Sequence, residues 1–311
     1  MAPQISVICP VGAREVYLVE ALESVLAQDF RDFELLVVLD GSPERVAAIV
    51  DGFDDPRIRV VRLPVNLGIS TARNVGLALA RAPYVAYMDS DDVALAHRLS
   101  MQHAWLQAHP EVTACGSNCI KLFVDGRRAP MVYPASDGQI KARLLLVDSA
   151  LHNPTVMVRT DFLRRHGLRF DPNFTRDQSH RLFVEMMCRG AVFHGLQEEL
   201  LIYRRHTENV THDQSGVDDE KTRVREILAP LFFPELTGHE QGLLLKGLRQ
   251  QVDMSLEELC RFVAVVDKAR AETRVFRGED RAELRLMLRL FRDRALRGLG
   301  VGKPAGSSLV A

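Results

Sequence analysis

Short apolar runs alternate with amphipathic stretches through the first ninety residues of the chain. Ile5–Ile8, Glu34–Leu39, Ile58–Leu63 and Tyr84–Met88 are rich in β-branched or aromatic residues, and each predicts a buried strand. Between the first two, Leu18, Ala21, Leu22, Val25 and Leu26 recur at helical spacing and make one apolar face. Pro43–Val50 and Ile69–Ala80 predict the second and third helices. Strand and helix in strict alternation imply right-handed crossovers and a mainly parallel sheet flanked by helices. Ligands of such sheets bind beyond the carboxyl ends of the strands, which points to the loops after Ile8, Leu39, Leu63 and Met88.

From about Asp89 the pattern loosens. It predicts a helix over His97–Ala108, strands near Val112–Gly116 and Thr155–Val158, a helix over Ser179–Cys188 ended by Gly190, and a strand at Leu200–Tyr203. The polar stretch His212–Glu220 predicts a mobile connection. Beyond it the composition is helical. Thr237-Gly-His-Glu240 and Ser255-Leu-Glu-Glu258 both fit capping boxes, and Gly300–Ala311 is expected to fray. In Arg281–Leu299, Leu284, Met287, Leu288, Phe291 and Ala295 share one face, with six arginines against Glu283 and Asp293. Such a helix either packs its apolar face on protein, within the chain or in a homodimer, or lies on an anionic membrane surface.

Bulk properties exclude several classes. A net charge of −1 gives no general attraction to nucleic acid. The longest apolar runs, such as Leu35–Leu39, fall far below the ~20 residues of a membrane span, and no basic patch precedes an apolar core at the N-terminus. Five scattered cysteines fit a reducing compartment better than a disulfide framework, and the close pair Cys115 and Cys119 lacks the partners of a zinc site. The expected location is the cytoplasm, with peripheral contact at the inner face of the membrane if the C-terminal helix binds lipid.

Met88-Asp89-Ser90-Asp91-Asp92 carries the most chemistry. An apolar strand runs straight into three carboxylates, which repel one another unless donors or a cation neutralise them. A hard divalent ion does so and also binds phosphate oxygens. Taken alone, an acidic turn capping a helix explains the segment as well. It has company, however. Asp40-Gly-Ser42 follows the second strand, and Asn66-Leu-Gly68 with Arg73 follows the third. A strand-end carboxylate can accept from a nucleobase or ribose, and an arginine near a helix start can reach a diphosphate. Each has a plainer reading singly, Asp40 as a turn residue and Arg73 as a solvated charge.

Together these blocks resemble the family 2 glycosyltransferases of the GT-A fold. The likeness runs through Ile5-Ser-Val-Ile-Cys-Pro10, Phe33–Val38 with Asp40-Gly-Ser42, Asn66-Leu-Gly68 with Ala72-Arg-Asn-Val-Gly76, Tyr84–Asp92, His152–Arg159, Arg176-Asp177 and Tyr203-Arg-Arg-His206. It implies a Rossmann-like GT-A domain over 1–214, divided into a nucleotide-binding half (1–92) and an acceptor half (93–214), followed by a helical region over 215–311. The resemblance assigns Pro10, Val11, Asp40, Arg73, Asp89 and Ser90 to nucleotide binding, Asp91, Asp89 and His206 to a Mn2+ or Mg2+ site, and Asp177 to the catalytic base. Its implied reaction is metal-dependent, inverting transfer from a nucleotide diphosphate sugar, a UDP-sugar first, to a glycan or lipid-linked glycan hydroxyl in polysaccharide synthesis. Three positions depart from the family pattern: Leu39 replaces an acid, Gly12-Ala13 replace Tyr-Asn, and Arg176 replaces the acid that often precedes the base. A dinucleotide-dependent oxidoreductase would need a Gly-x-Gly-x-x-Gly turn that Pro10-Val-Gly-Ala13 does not supply. The rival from another class is a non-catalytic nucleotide-sugar-binding or scaffolding protein with a helical interaction tail.

Overall fold

The computed structural model describes residues 2–146, 150–206, 217–248, 254–272 and 279–298. The chain forms two compact units, one of residues 1–136 with 149–214 and one of 137–148 with 215–311. The sequence expectation placed all of 1–214 in one domain, and the excursion of 137–148 into the helical unit differs from it.

The first unit opens with β1 (Ile5–Val11), α1 (Leu18–Leu26), β2 (Phe33–Asp40), α2 (Glu44–Asp51), β3 (Ile58–Leu63), α3 (Ile69–Leu79) and β4 (Tyr84–Tyr87). After the acidic turn come β5 (Val93–Ala94), α4 (Arg98–Ala108), β6 (Ala114–Phe123) and β7 (Arg128–Met131). The chain then enters the second unit as α5 (Asp137–Leu146) and returns through a 3-10 turn at Asn153–Thr155 to β8 (Met157–Arg159), α6 (Thr160–Arg165), α7 (Gln178–Cys188) and β9 (Phe193–Arg205). The strands make one sheet in the order β3-β2-β1-β4-β8-β6-β9-β5, with β7 on β6. The stretch β3-β2-β1-β4 is parallel throughout, so the carboxyl ends of four strands share one edge. Beyond β4 the sheet is mixed: β8 is antiparallel to β4 and β6, and β9 is parallel to β6.

β1 is longer than its apolar run. It pairs with β2 as far as Val11 opposite Leu39, but with β4 only as far as Ile8 opposite Tyr87. Ile8 offers its carbonyl to Met88 on the β4 side, and alternation turns Pro10 toward that same side, where pairing has ended. The missing proline N–H therefore costs no ladder bond. Pro10 and Val11 lie in the strand, buried, rather than in the loop where the sequence placed them. The strand expected near Val112–Gly116 starts at Ala114 and runs to Phe123, and that at Leu200–Tyr203 is the end of a thirteen-residue β9. Register shifts around Asn118 where β6 meets β9 blur the period-two pattern there.

The second unit is α5 with α8 (Val217–Phe232), α9 (Gly238–Leu248), α10 (Leu256–Glu272) and α11 (Glu279–Gly298). Both expected capping boxes form. Glu240 accepts from the Thr237 amide at 2.7 Å while Thr237 Oγ1 accepts from the Glu240 amide at 3.3 Å, and Ser255 and Glu258 do the same at 2.9 and 3.2 Å. Leu284, Leu288 and Ala295 of α11 are buried, and the helix packs on α5 and α10. The apolar face is thus covered by the chain's own helices, and Arg292 pairs with Asp267 of α10. Of the two expected arrangements, packing on protein within the chain is the one present. No described helix is long and apolar enough to cross one. The connection expected at His212–Glu220 lies outside the described residues up to Val217, where α8 begins, and the fraying expected at Gly300–Ala311 lies outside them entirely.

α3 seats against β1 and β2 through a glycine. A Cβ on Gly76 would stand 2.5 Å from Ile8 Cγ2, on a β-branched side chain that has little freedom to move. Gly76→Ala is therefore expected to destabilise the protein by ~1–3 kcal/mol through overpacking, although alanine favours a helix. Urea unfolding measures the difference; a variant as stable as the parent would show that α3 can shift freely.

Candidate active site

Three carboxylates leave β4 within one turn, and each meets a different partner. Asp89 Oδ1 accepts from Arg73 Nη2 at 2.7 Å. Asp91 Oδ2 lies 3.1 Å from Arg14 Nη1 and 3.1 Å from His206 Nε2. Asp92 is fully buried and accepts from the Arg204 backbone amide at 3.0 Å, which ties the end of β9 to the turn. Burial raises the Asp91 pKa, the neighbouring Asp89 raises it further, and His206 and Arg14 oppose both. Asp92 is pushed well above the usual carboxylate range by burial first, then by Asp91 and Asp89. Arg98, buried beneath them, has its pKa lowered by desolvation to about 10, so it stays charged at neutral pH. It donates to the Tyr87 carbonyl at 2.7 Å.

The flanking positions are fixed from three directions. Arg73 comes from α3 and lies over the Phe170 ring, 5.3 Å from its centroid. His206 directly follows β9, with its ring 5.3 Å from that of Tyr17, and the Arg204 guanidinium lies over the same Tyr17 ring, 4.7 Å from its centroid. Asp40 closes β2 and accepts from the Leu67 amide at 2.7 Å, which holds the loop before α3. That approach needs Gly41, where φ is +60° and a Cβ would meet the Asn66 backbone at 2.2 Å. Ser42 Oγ donates to the Val11 carbonyl at 2.8 Å, so the ends of β1 and β2 are locked together. Ser90 lies half-buried in the turn between Asp89 and Asp91.

Asp177 occupies the N-cap position of α7, but its side chain makes no capping hydrogen bond there. The segment before it is fastened to α3: Asn74 Nδ2 donates to the Phe170 carbonyl at 2.8 Å, the Phe170 amide donates to Asn74 Oδ1 at 2.8 Å, and Ser70 Oγ donates to the Phe174 carbonyl at 3.3 Å. The helix that presents Arg73 thus also holds the loop that leads to Asp177. Direct contacts join Arg73 to Asp89 and Asp91 to His206. Asp40 is linked through its loop, and Asp177 through α3.

Sequence reasoning missed Arg14, the structural part played by Asp92, and His152. Arg14 stands in the loop after β1, one of the loops marked for inspection, and is the basic residue of that loop. His152 stacks on Tyr133 at 6.0 Å and meets Tyr203 edge-on at 4.7 Å. A histidine at the end of a long irregular stretch gives no periodic signal of such a position.

Residues 6–165 match the model of glycosyl transferase family 2. The chain belongs to that family. An uncharacterized glycosyltransferase of Haemophilus influenzae is 26% identical over 215 residues, 66% of this chain and 66% of the relative. The succinoglycan biosynthesis protein ExoO of Rhizobium meliloti is 42% identical over 186 residues, 56% of this chain and 52% of ExoO. The chain therefore spans just under two thirds, or less, of the length of these relatives. Among solved structures, residues 1–349 of S. aureus TarS match with a TM-score of 0.60 at 19% identity, over 94% of this chain and 92% of that one. The same protein in complex with UDP-GlcNAc matches with a TM-score of 0.62 over the same shares. This likeness is one of fold: the family 2 chain has the GT-A architecture, a sheet with flanking helices and a helical C-terminal region.

His152 gives the site a measurable pH dependence. Burial lowers its pKa to about 4, against an ordinary value of 6.5, and Asp89 only partly opposes this. Between those values the unfolded chain takes up a proton that the folded one refuses. The contribution of His152 to stability is thus fully present above 6.5 and is lost as the pH drops toward 4, by up to ~3 kcal/mol. Replacing the histidine, as in His152→Gln, should flatten this part of the stability profile in urea titrations. Parallel profiles for parent and variant would mean that His152 titrates normally.

Proposed function

We infer that the protein transfers a sugar from a UDP-sugar to an acceptor hydroxyl, with inversion at the anomeric carbon and with the help of a divalent cation. The observation that carries this reading is the meeting of Asp91 Oδ2 and His206 Nε2, 3.1 Å apart, beside Arg73 and Asp89 at the carboxyl-end edge of the parallel strands. Family membership makes the reaction a glycosyl transfer. The TarS complexes with UDP-GlcNAc and UDP favour a UDP-sugar, and the name of ExoO favours an acceptor in polysaccharide synthesis, a glycan or lipid-linked glycan.

The residues fit a cation shared with substrate rather than one caged by protein. No group of three potential ligands is assembled among the described residues. Asp91 and His206, with Asp89 nearby, suit Mn2+ or Mg2+ completed by phosphate oxygens and water. When bound, such an ion neutralises charge developing on the leaving diphosphate. Arg73 adds a fixed positive charge on the same side, and Asp40, Pro10, Val11 and Ser90 border the nucleotide. Asp177 serves as general base: the acceptor oxygen bonds to the anomeric carbon, the bond from that carbon to the diphosphate breaks, and the hydroxyl proton passes to Asp177. One displacement by one nucleophile inverts the centre.

Calorimetry tests the donor site. UDP should bind in the presence of Mn2+, chelator should weaken binding at least ~10-fold, and Asp91→Ala should reproduce that loss. Equal affinity with and without metal would remove Asp91 from the role. For the base, Asp177→Asn should leave UDP affinity nearly unchanged while transfer or donor turnover falls ~10²-fold or more. A variant that turns over at the parental rate would assign the proton transfer to another group.

A further inference from the structure

Beside the acidic turn lies a second turn whose side chains are not used by the fold. β8 runs antiparallel to β4 with Met157 opposite Ala86, and the Tyr87 amide donates to the Val156 carbonyl at 3.0 Å. One step further, β4 gives way to the acidic turn and β8 to the 3-10 turn Asn153–Thr155, which packs against β4. The two turns therefore leave the sheet side by side. His152 opens the second one. Its ring meets Tyr203 edge-on at 4.7 Å, three residues before His206 in the chain, and Asp89 is the charge that acts on it most strongly.

The backbone of this second turn is firmly anchored. The His152 carbonyl accepts from the Thr155 amide at 2.8 Å and from Thr155 Oγ1 at 2.7 Å, and the Asn153 carbonyl accepts from the Val156 amide at 3.0 Å. Gln102 Nε2 donates to the Thr155 carbonyl at 2.7 Å, and the Ser117 amide donates to Thr155 Oγ1 at 3.3 Å. The side chains of the first two residues show the opposite. Asn153 is 6% exposed, yet neither its Oδ1 nor its Nδ2 has a hydrogen-bond partner among the described residues, and His152 Nε2 has none either. A buried polar atom without a partner lowers stability. Three of them, on two adjacent residues of a well-bonded turn next to the acidic cluster, have no structural use.

We propose that His152 and Asn153 read the hydroxyl groups of the donor's sugar and so set which UDP-sugar the site accepts. This rests on the donor reading above, which holds the diphosphate at Asp91 and His206 and so brings the sugar to the neighbouring turn. The amide offers one acceptor and two N–H donors, and the imidazole, kept neutral by burial, offers a donor or an acceptor at Nε2. That set suits adjacent sugar hydroxyls, each of which both donates and accepts. No hydrogen bond holds either side chain, so turning toward a sugar breaks none, and each bond gained relieves a cost that the fold already carries. A sugar with its hydroxyls arranged differently leaves the same atoms unpaired, which is how a site of hydrogen-bonding groups discriminates.

Calorimetry in the presence of Mn2+ tests this with UDP, UDP-glucose, UDP-galactose and UDP-GlcNAc as probes. The parent should separate the three sugars by at least ~10-fold in affinity. Asn153→Leu and His152→Phe remove the polar atoms and keep the approximate shape, the second also keeping the ring contacts with Tyr133 and Tyr203. Each should narrow that separation by ~3-fold or more while changing UDP affinity by less than ~2-fold. Urea unfolding separates this from a role in the fold: with unpartnered atoms replaced by apolar ones, both variants should unfold at or above the parental midpoint. A parent that binds UDP without distinguishing the sugars, or variants that distinguish them as the parent does, overturn the proposal and leave the donor reading intact. Variants that lose UDP affinity in step with the sugars, or that unfold at a clearly lower midpoint, overturn it as well, because the two side chains would then be supporting the turn. A parent that fails to bind UDP with Mn2+ overturns the donor reading and the proposal with it.

Discussion

Three carboxylates within four residues repel one another, and the architecture of the first unit is arranged around that repulsion. Each of the three is met by a partner of its own. Asp89 is met by an arginine from α3, Asp91 by an arginine from the loop after β1 and a histidine from the end of β9, and Asp92 by the backbone of β9 with Arg98 beneath. Segments distant in sequence converge because each carries one piece of the compensation. The return of the chain to the turn makes the longest of these ties: His206 meets Asp91 across 115 residues, and Arg204 meets Asp92 across 112.

The parallel strands supply a stiff edge on which the turn can stand. Four strands end together, and short polar bridges prevent their tips from drifting: Ser42 to Val11, Leu67 to Asp40. α3 extends this stiffness outward. Its outer residues Ser70 and Asn74 grip the segment 170–174, while Arg73 between them faces the acidic turn. One helix therefore sets both the floor of the site and the approach to Asp177.

Much of this was legible in the sequence where period and chemistry agree. The first four strands and three helices follow from alternation, and the polar clusters after β2, β3 and β4 follow from their position at strand ends. The capping boxes at Thr237 and Ser255 are written in residues three apart, so local chemistry alone decides them. What escaped has a non-local cause. β1 continues through Pro10 only because β4 has stopped pairing there, which no run of hydrophobicity records. β6 and β9 change register midway, so their alternation breaks. The face of α11 was read correctly as apolar, yet a helix cannot say what covers it. The covering helix α5 lies more than a hundred residues earlier in the chain, inside the span that the sequence assigns to the first domain. Arg14 was missed because a lone arginine in a loop is ordinary until the fold brings it to a carboxylate.

The three carboxylates also divide by solvent access, and that division separates structure from chemistry. Asp92 is sealed, its pKa raised well above the usual range, and its visible task is to receive the Arg204 amide. A group held that way cannot trade partners without breaking the junction of β9 with the turn, so it serves the fold. Asp89 and Asp91 are only partly buried, and both are paired to side chains rather than to backbone. Side-chain pairs can be exchanged for a ligand at modest cost, whereas a buried backbone amide left without its acceptor costs ~1–3 kcal/mol. The same electrostatic crowding is thus resolved by backbone at one carboxylate and by side chains at the other two.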